Sequence, residues 1–188
     1  MLFTDPLTQA LAGVRLRTYL TKPVTEWEIN LYGIPYTPDQ GKEVIMQWYT
    51  PNINNLNISY TDSNGLEMQK RKKDFRPTFT LETHEPTSSN YYPVNSAIAI
   101  VDETNNLQLT VMNDRSQGGA ALRQGTVELM QNRRLYHDDD RGVGEALNET
   151  DAYDNGITTH CTYHVQFFDR TQEPALQRTI QLHKDQPV

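Results

Sequence analysis

The chain has 188 residues, a formal net charge of −7 and 36% hydrophobic residues, with a mean hydropathy of −0.70 and a pI near 5.2. The acidic balance argues against a nucleic-acid or anionic-membrane surface, and no run approaches the roughly 18 to 20 apolar residues that span a bilayer. The length suits one domain, 1–188, or part of a larger one, and the modest apolar content fits a small-cored, half-solvated β architecture. Residues 1–12 read as a weakly helical or irregular lead-in. They carry no basic region and no long apolar stretch, so they form no secretory signal.

Val14 to Tyr19 alternates with the period of a half-buried strand, and Glu26 to Leu31 does the same with Trp27, Ile29 and Leu31 on one face. Gly33 to Gly41 is a turn-rich connector, and Val44 to Tyr49 is a third strand. Ser63-Asn64-Gly65 signals a hairpin after Ile58–Tyr60. The basic run Gln69 to Lys73 reads either as a phosphate or nucleic-acid patch or as a solvated edge that discourages strand pairing. The acidic chain and the adjacent hairpin favour the edge. Thr78 to Leu81 is a strand, and His84 to Ser89 a loop. Ala97 to Val101 is short and β-branched, so a buried strand, and Leu107 to Met112 returns beside it. Cys161, Tyr163, Val165 and Phe167 share one face of a long strand, and Gln177 to His183 gives a last strand. Eight to eleven short strands with polar turns predict an all-β fold, a β-sandwich. Cys161 stands alone, so no disulfide closes within the chain. It either pairs elsewhere or is buried as a small apolar group, and burial is favoured.

Two charged, glycine-bearing turns draw attention: Asp114 to Gly119 and His137 to Gly144, flanking strand residues Val127, Leu129 and Met130 and the pair Arg133-Arg134. Such turns carry binding groups or are simply solvated ion pairs. His137-Asp138-Asp139-Asp140 fails the EF-hand frame, because the spacing places Arg141 at a ligand position. A loop with a single carboxylate ligand stays open. His160 and His164 lie about 13 Å apart on a strand, too far to share a zinc ion. Gly142-Val143-Gly144 lacks the third glycine of a dinucleotide motif, and Ser116 lacks nucleophile-elbow spacing. Three adjacent aspartates cannot flank a glycosidic bond from both sides, so this loop holds no complete acid–base pair. Asn57-Ile58-Ser59 and Asn148-Glu149-Thr150 are glycosylation sequons at Asn57 and Asn148, weak support for a secreted history.

DRSQGG, LRQGTVELM and NRRLYHDDDRGVGEALNET, together with YTDSNG, NYYPVN, DFRPTF and GKEVI, resemble the second half of the class II α-mannosidases, glycoside hydrolase family 38, in its lysosomal or acid branch. The motifs occur in the family's order, from about Gly33 to Thr150. Two departures are AALRQG, where the family often has serines, and a third aspartate in DDD.

The resemblance implies β-sandwich domains of the galactose mutarotase-like supersandwich type, packed against a catalytic N-terminal domain. It implies a retaining enzyme acting on terminal α-linked mannose of glycoprotein glycans, in a lysosome or acidic vacuole. The aspartate nucleophile, the acid–base carboxylate and zinc belong to the family's N-terminal half, whose motifs are absent here. This chain then supplies no catalytic residue and no cofactor site. Its missing signal suggests an internal fragment or recombinant chain, with Met1 an added start. By similarity the DDDRG turn reaches towards the sugar pocket, with Arg141 contacting substrate by side chain or carbonyl and Asp139 and Asp140 orienting it. Arg115, Arg133 and Arg134 hold loops and the domain interface. The rivals are a stand-alone carbohydrate-binding module with Trp27, Trp48 and Tyr91-Tyr92 as candidate platforms, and a purely structural domain.

Overall fold

Alternating apolar residues become paired strands along most of the chain. The computed structural model describes residues 2–4, 11–142, 144–171 and 175–186. Its elements are β1 (Leu2–Thr4), β2 (Leu11–Thr18), β3 (Thr25–Leu31), β4 (Lys42–Tyr49), β5 (Ile58–Ser63), β6 (Glu67–Lys72), β7 (Tyr92–Val94), β8 (Ala97–Asp102), β9 (Leu107–Asn113), β10 (Gln117–Ala120), β11 (Thr126–Arg134), β12 (Thr159–Asp169) and α1 (Leu176–Asp185). An eight-stranded sheet runs β1-β2-β3-β12-β9-β8-β5-β6, and a four-stranded sheet runs β4-β11-β10-β7. Every strand pairing is antiparallel. The molecule is an all-β sandwich.

The core lies between the sheets. Ile98, Ile100, Val111 and Tyr163 from the larger sheet meet Val94, Val127, Leu129 and Trp48 from the smaller. Trp48 packs edge-on against Trp27 at 6.4 Å and Tyr163 at 5.0 Å, which sets β4 over β3 and β12. Cys161 is buried and free. All six residues of β8 are buried, because α1 covers the other face of the large sheet. Gln108 donates to Gln177 of α1, Gln181 donates to Ser96, and Lys184 reaches the Asn113 carbonyl at 2.7 Å.

Two buried carboxylates close the turns around β8. Asp62 accepts the N–H groups of Gly65 (2.9 Å), Ser96 (2.7 Å) and Ala97 (3.0 Å). Burial pushes its carboxyl up, and these donors overcome that and hold it below the usual range. Asp102 accepts from the N–H groups of Asn54, Thr104 and Asn105 and from the Asn105 amide. The Asn54 and Asn105 N–H groups lead in lowering it to about 2.

Several expectations need correction. Gln177 to His183 is part of helix α1, not a strand. Its contacting residues Gln177, Gln181 and Lys184 recur at helical spacing, but they are polar, so the helical period was hidden behind the Ile180–Leu182 alternation. Thr78 to Leu81 is not a strand. Pro77 removes an N–H there, and the neighbouring edge, β6, is the basic one that resists pairing. Gln117–Gly119 is not turn but part of β10, where glycines are required: a Cβ on Gly119 would sit 2.7 Å from Val94 and 2.8 Å from Leu129. Cys161, Tyr163, Val165 and Phe167 share one face of β12 as expected, although Phe167 is half exposed and Gln166 on the opposite face is buried. Leu2–Thr4 pairs with β2, so the lead-in is partly strand; positions 1 and 5–10 lie outside the described residues. Twelve strands are present among the described residues, more than expected, because β1, β7 and β10 were not foreseen. The hairpin closes through left-handed Asn64 and Gly65 (φ 52° and 69°). The basic run lies on edge strand β6, as expected.

Leu129→Ala should cost about 3 kcal/mol in urea unfolding, since Leu129 is fully buried between the sheets. Asp102→Asn should lower stability near neutral pH. A carboxyl with a depressed pKa stabilises above its unfolded range, and that contribution fades as pH falls from about 4 towards about 2. The wild-type and variant urea midpoints should therefore converge over that window.

Candidate functional site

The antiparallel registers bring one set of strand ends together. The C-terminal ends of β3, β9 and β11 and the N-terminal ends of β4, β10 and β12 lie at the same end of the sandwich. That end therefore carries the segments 32–41, 114–116, 135–142 and 144–158.

A β-bulge decides which arginine anchors them. Val127 and Leu129 face the core opposite Trp48 and Met46, and the register then shifts between Met130 and Asn132. The extra residue reverses the alternation. Asn132 and Arg134 now point inward, opposite Val44 and Lys42, and Arg133 is left exposed. Buried Arg134 donates from Nη1 to the Ile34 carbonyl (2.9 Å) and from Nε to Asn148 Oδ1 (2.6 Å). Its guanidinium lies 5.2 Å from the centre of the Tyr36 ring. Backbones cross tightly beside it. A Cβ on Gly156 would meet the Ile34 oxygen at 2.6 Å and Arg134 Nη1 at 3.2 Å. Lys42 adds contacts to the Pro35 carbonyl (3.2 Å) and Thr37 Oγ1 (2.5 Å).

The loops also bind each other. Tyr36 and Tyr136 stack at 5.6 Å, and His137 packs edge-on against Tyr136 at 4.5 Å. His137 Nε2 is 3.6 Å from Asp39, an ion pair only when the imidazole is protonated. The Leu135 N–H donates to the Leu147 carbonyl at 2.9 Å. A cavity of about 250 Å3 lies among these segments, lined by Asn132, Arg133, Arg134, Glu149, Leu147 and Ile157 and by the Ile34–Gly156 crossing.

Arg115 works across the same end. Its Nε donates to Asp114 (3.0 Å), and an Nη group donates to the His160 carbonyl. Asp114 in turn accepts the Thr162 N–H at 2.9 Å. Burial raises the Asp114 carboxyl, but Arg115 and the Thr162 N–H outweigh it and leave it low. The 114–116 turn is thereby clamped to the start of β12.

The DDDRG segment projects from this rim. Asp139, Asp140 and Arg141 are exposed. Asp139 Oδ1 accepts the Arg141 N–H at 3.1 Å, and Asp140 takes a left-handed turn conformation (φ 56°). Among the described residues the Arg141 guanidinium makes no hydrogen bond or ion pair. Val143 lies outside the described residues. The structure thus gathers Arg134 with Asn148, keeps Arg141 beside Asp139 through the backbone, and leaves Arg133 lining the cavity. Asn57 is exposed, whereas the Asn148 side chain is engaged by Arg134. Sequence reasoning missed Tyr36, Tyr136, Asn132, Glu149 and the Gly33–Gly156 crossing; only the unusual density of aromatic and polar residues in these loops could have signalled them.

Chemically, the rim can donate and accept hydrogen bonds to a polyol. Its cavity presents one carboxylate, Glu149, among the described residues, where glycoside hydrolysis uses a facing pair. The donor set does not fit zinc: no described group of three His, Cys, Asp or Glu residues could hold a metal ion. Trp27 and Trp48 pack against each other inside the sandwich, and Tyr92 has Arg71 and Arg76 over its ring at 4.6 Å and 5.1 Å. These aromatics make no exposed sugar platform. No helix of the described residues is long and apolar enough to cross a membrane.

Residues 14–141 match the Glycosyl hydrolases family 38 C-terminal domain. The chain belongs to glycoside hydrolase family 38. It is 50% identical over 139 residues to the lysosomal alpha-mannosidase of Mus musculus, covering 74% of this chain and 13% of that protein. It is 51% identical over 124 residues to the lysosomal alpha-mannosidase of Homo sapiens, covering 66% and 12%. An alpha-mannosidase of Arabidopsis thaliana is 40% identical over 153 residues, covering 80% and 15%. The chain therefore spans about an eighth of the length of these family 38 relatives. The matched region closes at Arg141, on the projecting loop, and contains every strand from β3 to β11.

Arg134→Ala orphans two acceptors and should cost about 2 to 4 kcal/mol in chemical denaturation. Gly156→Ala, which places a methyl group against backbone, should be at least as damaging. Arg133→Ala, on the exposed side of the same strand, should be near neutral for stability.

Proposed function

We propose that this chain is an accessory β-domain of a retaining α-mannosidase of the lysosomal type, whose whole polypeptide removes terminal α-linked mannose from glycoprotein glycans. The family 38 C-terminal domain match, ending on a projecting charged loop, is the observation that carries this reading. The nucleophile, the acid–base carboxylate and zinc belong to the catalytic N-terminal domain, which is this domain's partner. The whole protein works in a lysosome or acidic vacuole, in keeping with the names of its relatives.

In this reading the loop 137–144 forms one wall of the sugar pocket. Arg141 contacts substrate, through its side chain or its carbonyl. Asp139 sets the loop by holding the Arg141 N–H, and Asp140 supplies the turn that follows. Arg115 and Arg134 fix the rim from which the loop projects, and exposed Arg133 faces the neighbouring domain. Asn57 and Asn148 are glycan acceptors, with Asn148 modified before Arg134 engages its side chain.

The purified chain alone should show no turnover of a chromogenic α-mannoside at acidic pH, with or without zinc. Turnover by the chain alone would contradict the accessory role. In the full-length enzyme, Arg141→Ala should lower kcat/KM by about ten- to a hundredfold, the effect of one lost hydrogen bond from a charged donor. An unchanged kcat/KM in a normally folded variant would remove Arg141 from the pocket and favour a purely structural domain.

A further inference from the structure

The two sheets are unequal, and the excess lies on one side. Because Trp48 meets both Trp27 and Tyr163, β4 sits over β3 and β12. Strands β2 and β1 continue the large sheet past the outer edge of β4. No described strand lies opposite them. The step leaves an apolar cleft of about 250 Å3, walled by Val14, Trp27 and Ile29 of the large sheet and by Val44 and Met46 of β4.

The free edges of the molecule are treated differently. Edge strand β6 is guarded by Lys70, Arg71 and Lys72, in the manner of edges that must stay unpaired. Edge strand β4 has eight residues and pairs only with β11 among the described strands. Its middle, Val44-Ile45-Met46, carries no charge. An unguarded edge presents a row of backbone donors and acceptors, and the cleft beside it presents alternating apolar contacts. Together these are the two halves of a strand-addition site. The lining is apolar except for Gln131, which suits apolar side chains better than a sugar.

We infer that the outer edge of β4 is completed by an antiparallel strand from the polypeptide of the same enzyme outside residues 1–188, whose inward side chains fill the cleft over β2 and β3. This rests on the reading of the chain as one part of a longer enzyme, of which it spans about 13%. A second copy fits poorly. Pairing β4 with β4 about a two-fold axis would bring the overhanging β2 and β1 of both copies into one volume. Each overhang extends roughly 10 Å, at about 4.8 Å per strand.

The test uses the full-length enzyme and contains its own control. Residue-resolved hydrogen exchange should find the β4 N–H groups that point away from β11 exchanging roughly 100-fold more slowly than the outward N–H groups of β6. A photo-crosslinking amino acid at Ile45, whose side chain is part-exposed at this edge, should capture a peptide from outside residues 1–188 of the same polypeptide. Exchange at β4 as fast as at β6 would overturn the inference. So would cross-links confined to residues 1–188, in the same copy or a second one. Neither readout involves turnover, so an inactive enzyme would defeat the functional reading while leaving the strand assignment to be judged on its own.

Discussion

The guanidinium of Arg134 is the constraint on which the loop-bearing end of this molecule depends. A buried cation must be surrounded by acceptors, or the fold rejects it. Here a backbone carbonyl, a side-chain amide and an aromatic face surround it, drawn from segments a hundred residues apart in sequence. Satisfying that one group fixes the connector after β3, the loop after β11 and the Gly33–Gly156 crossing at once. The projecting DDDRG loop inherits its position from this anchor, because it leaves the strand that Arg134 ends. Loops held this way on a rigid sheet are suited to present a contact without being catalytic themselves.

The rest of the sandwich is built around polar satisfaction as much as apolar burial. The middle of the large sheet is covered on both faces, by the small sheet on one side and by α1 on the other. The second interface is a seam of glutamines, serine and lysine, not a hydrophobic stripe. Asp62 and Asp102 tie off the turns at the two ends of the most buried strand, each by gathering several N–H donors. These groups explain how a chain of modest hydrophobicity holds a two-layer fold.

Much of this was legible in the residues. The β-branched alternation of Ala97 to Met112 carries the two central strands, Trp27 declares its inward face by its partners Ile29 and Leu31, and the lysine-rich edge announces itself by charge. The family likeness rested on ordered motifs, and the fold agrees with it. What was hidden depended on distance or parity. No local pattern shows that a one-residue bulge buries Arg134 instead of Arg133. None shows that Tyr36 will stack on Tyr136, or that Gly33 must pass against Gly156. Helix α1 escaped notice because its contacts are polar, and the apparent strand at Thr78 to Leu81 failed because alternation without a partner edge makes no strand.

The central claim is that the rim anchored by Arg134 forms one wall of a mannose pocket completed by another domain. The most direct measurement is a crystal structure of the full-length enzyme with a mannose-configured inhibitor. The account predicts the side chain or carbonyl of Arg141 within hydrogen-bonding distance of the sugar, with Arg134 still joined to Ile34 and Asn148 behind it. A sugar bound with the loop 137–144 turned away into solvent would contradict it.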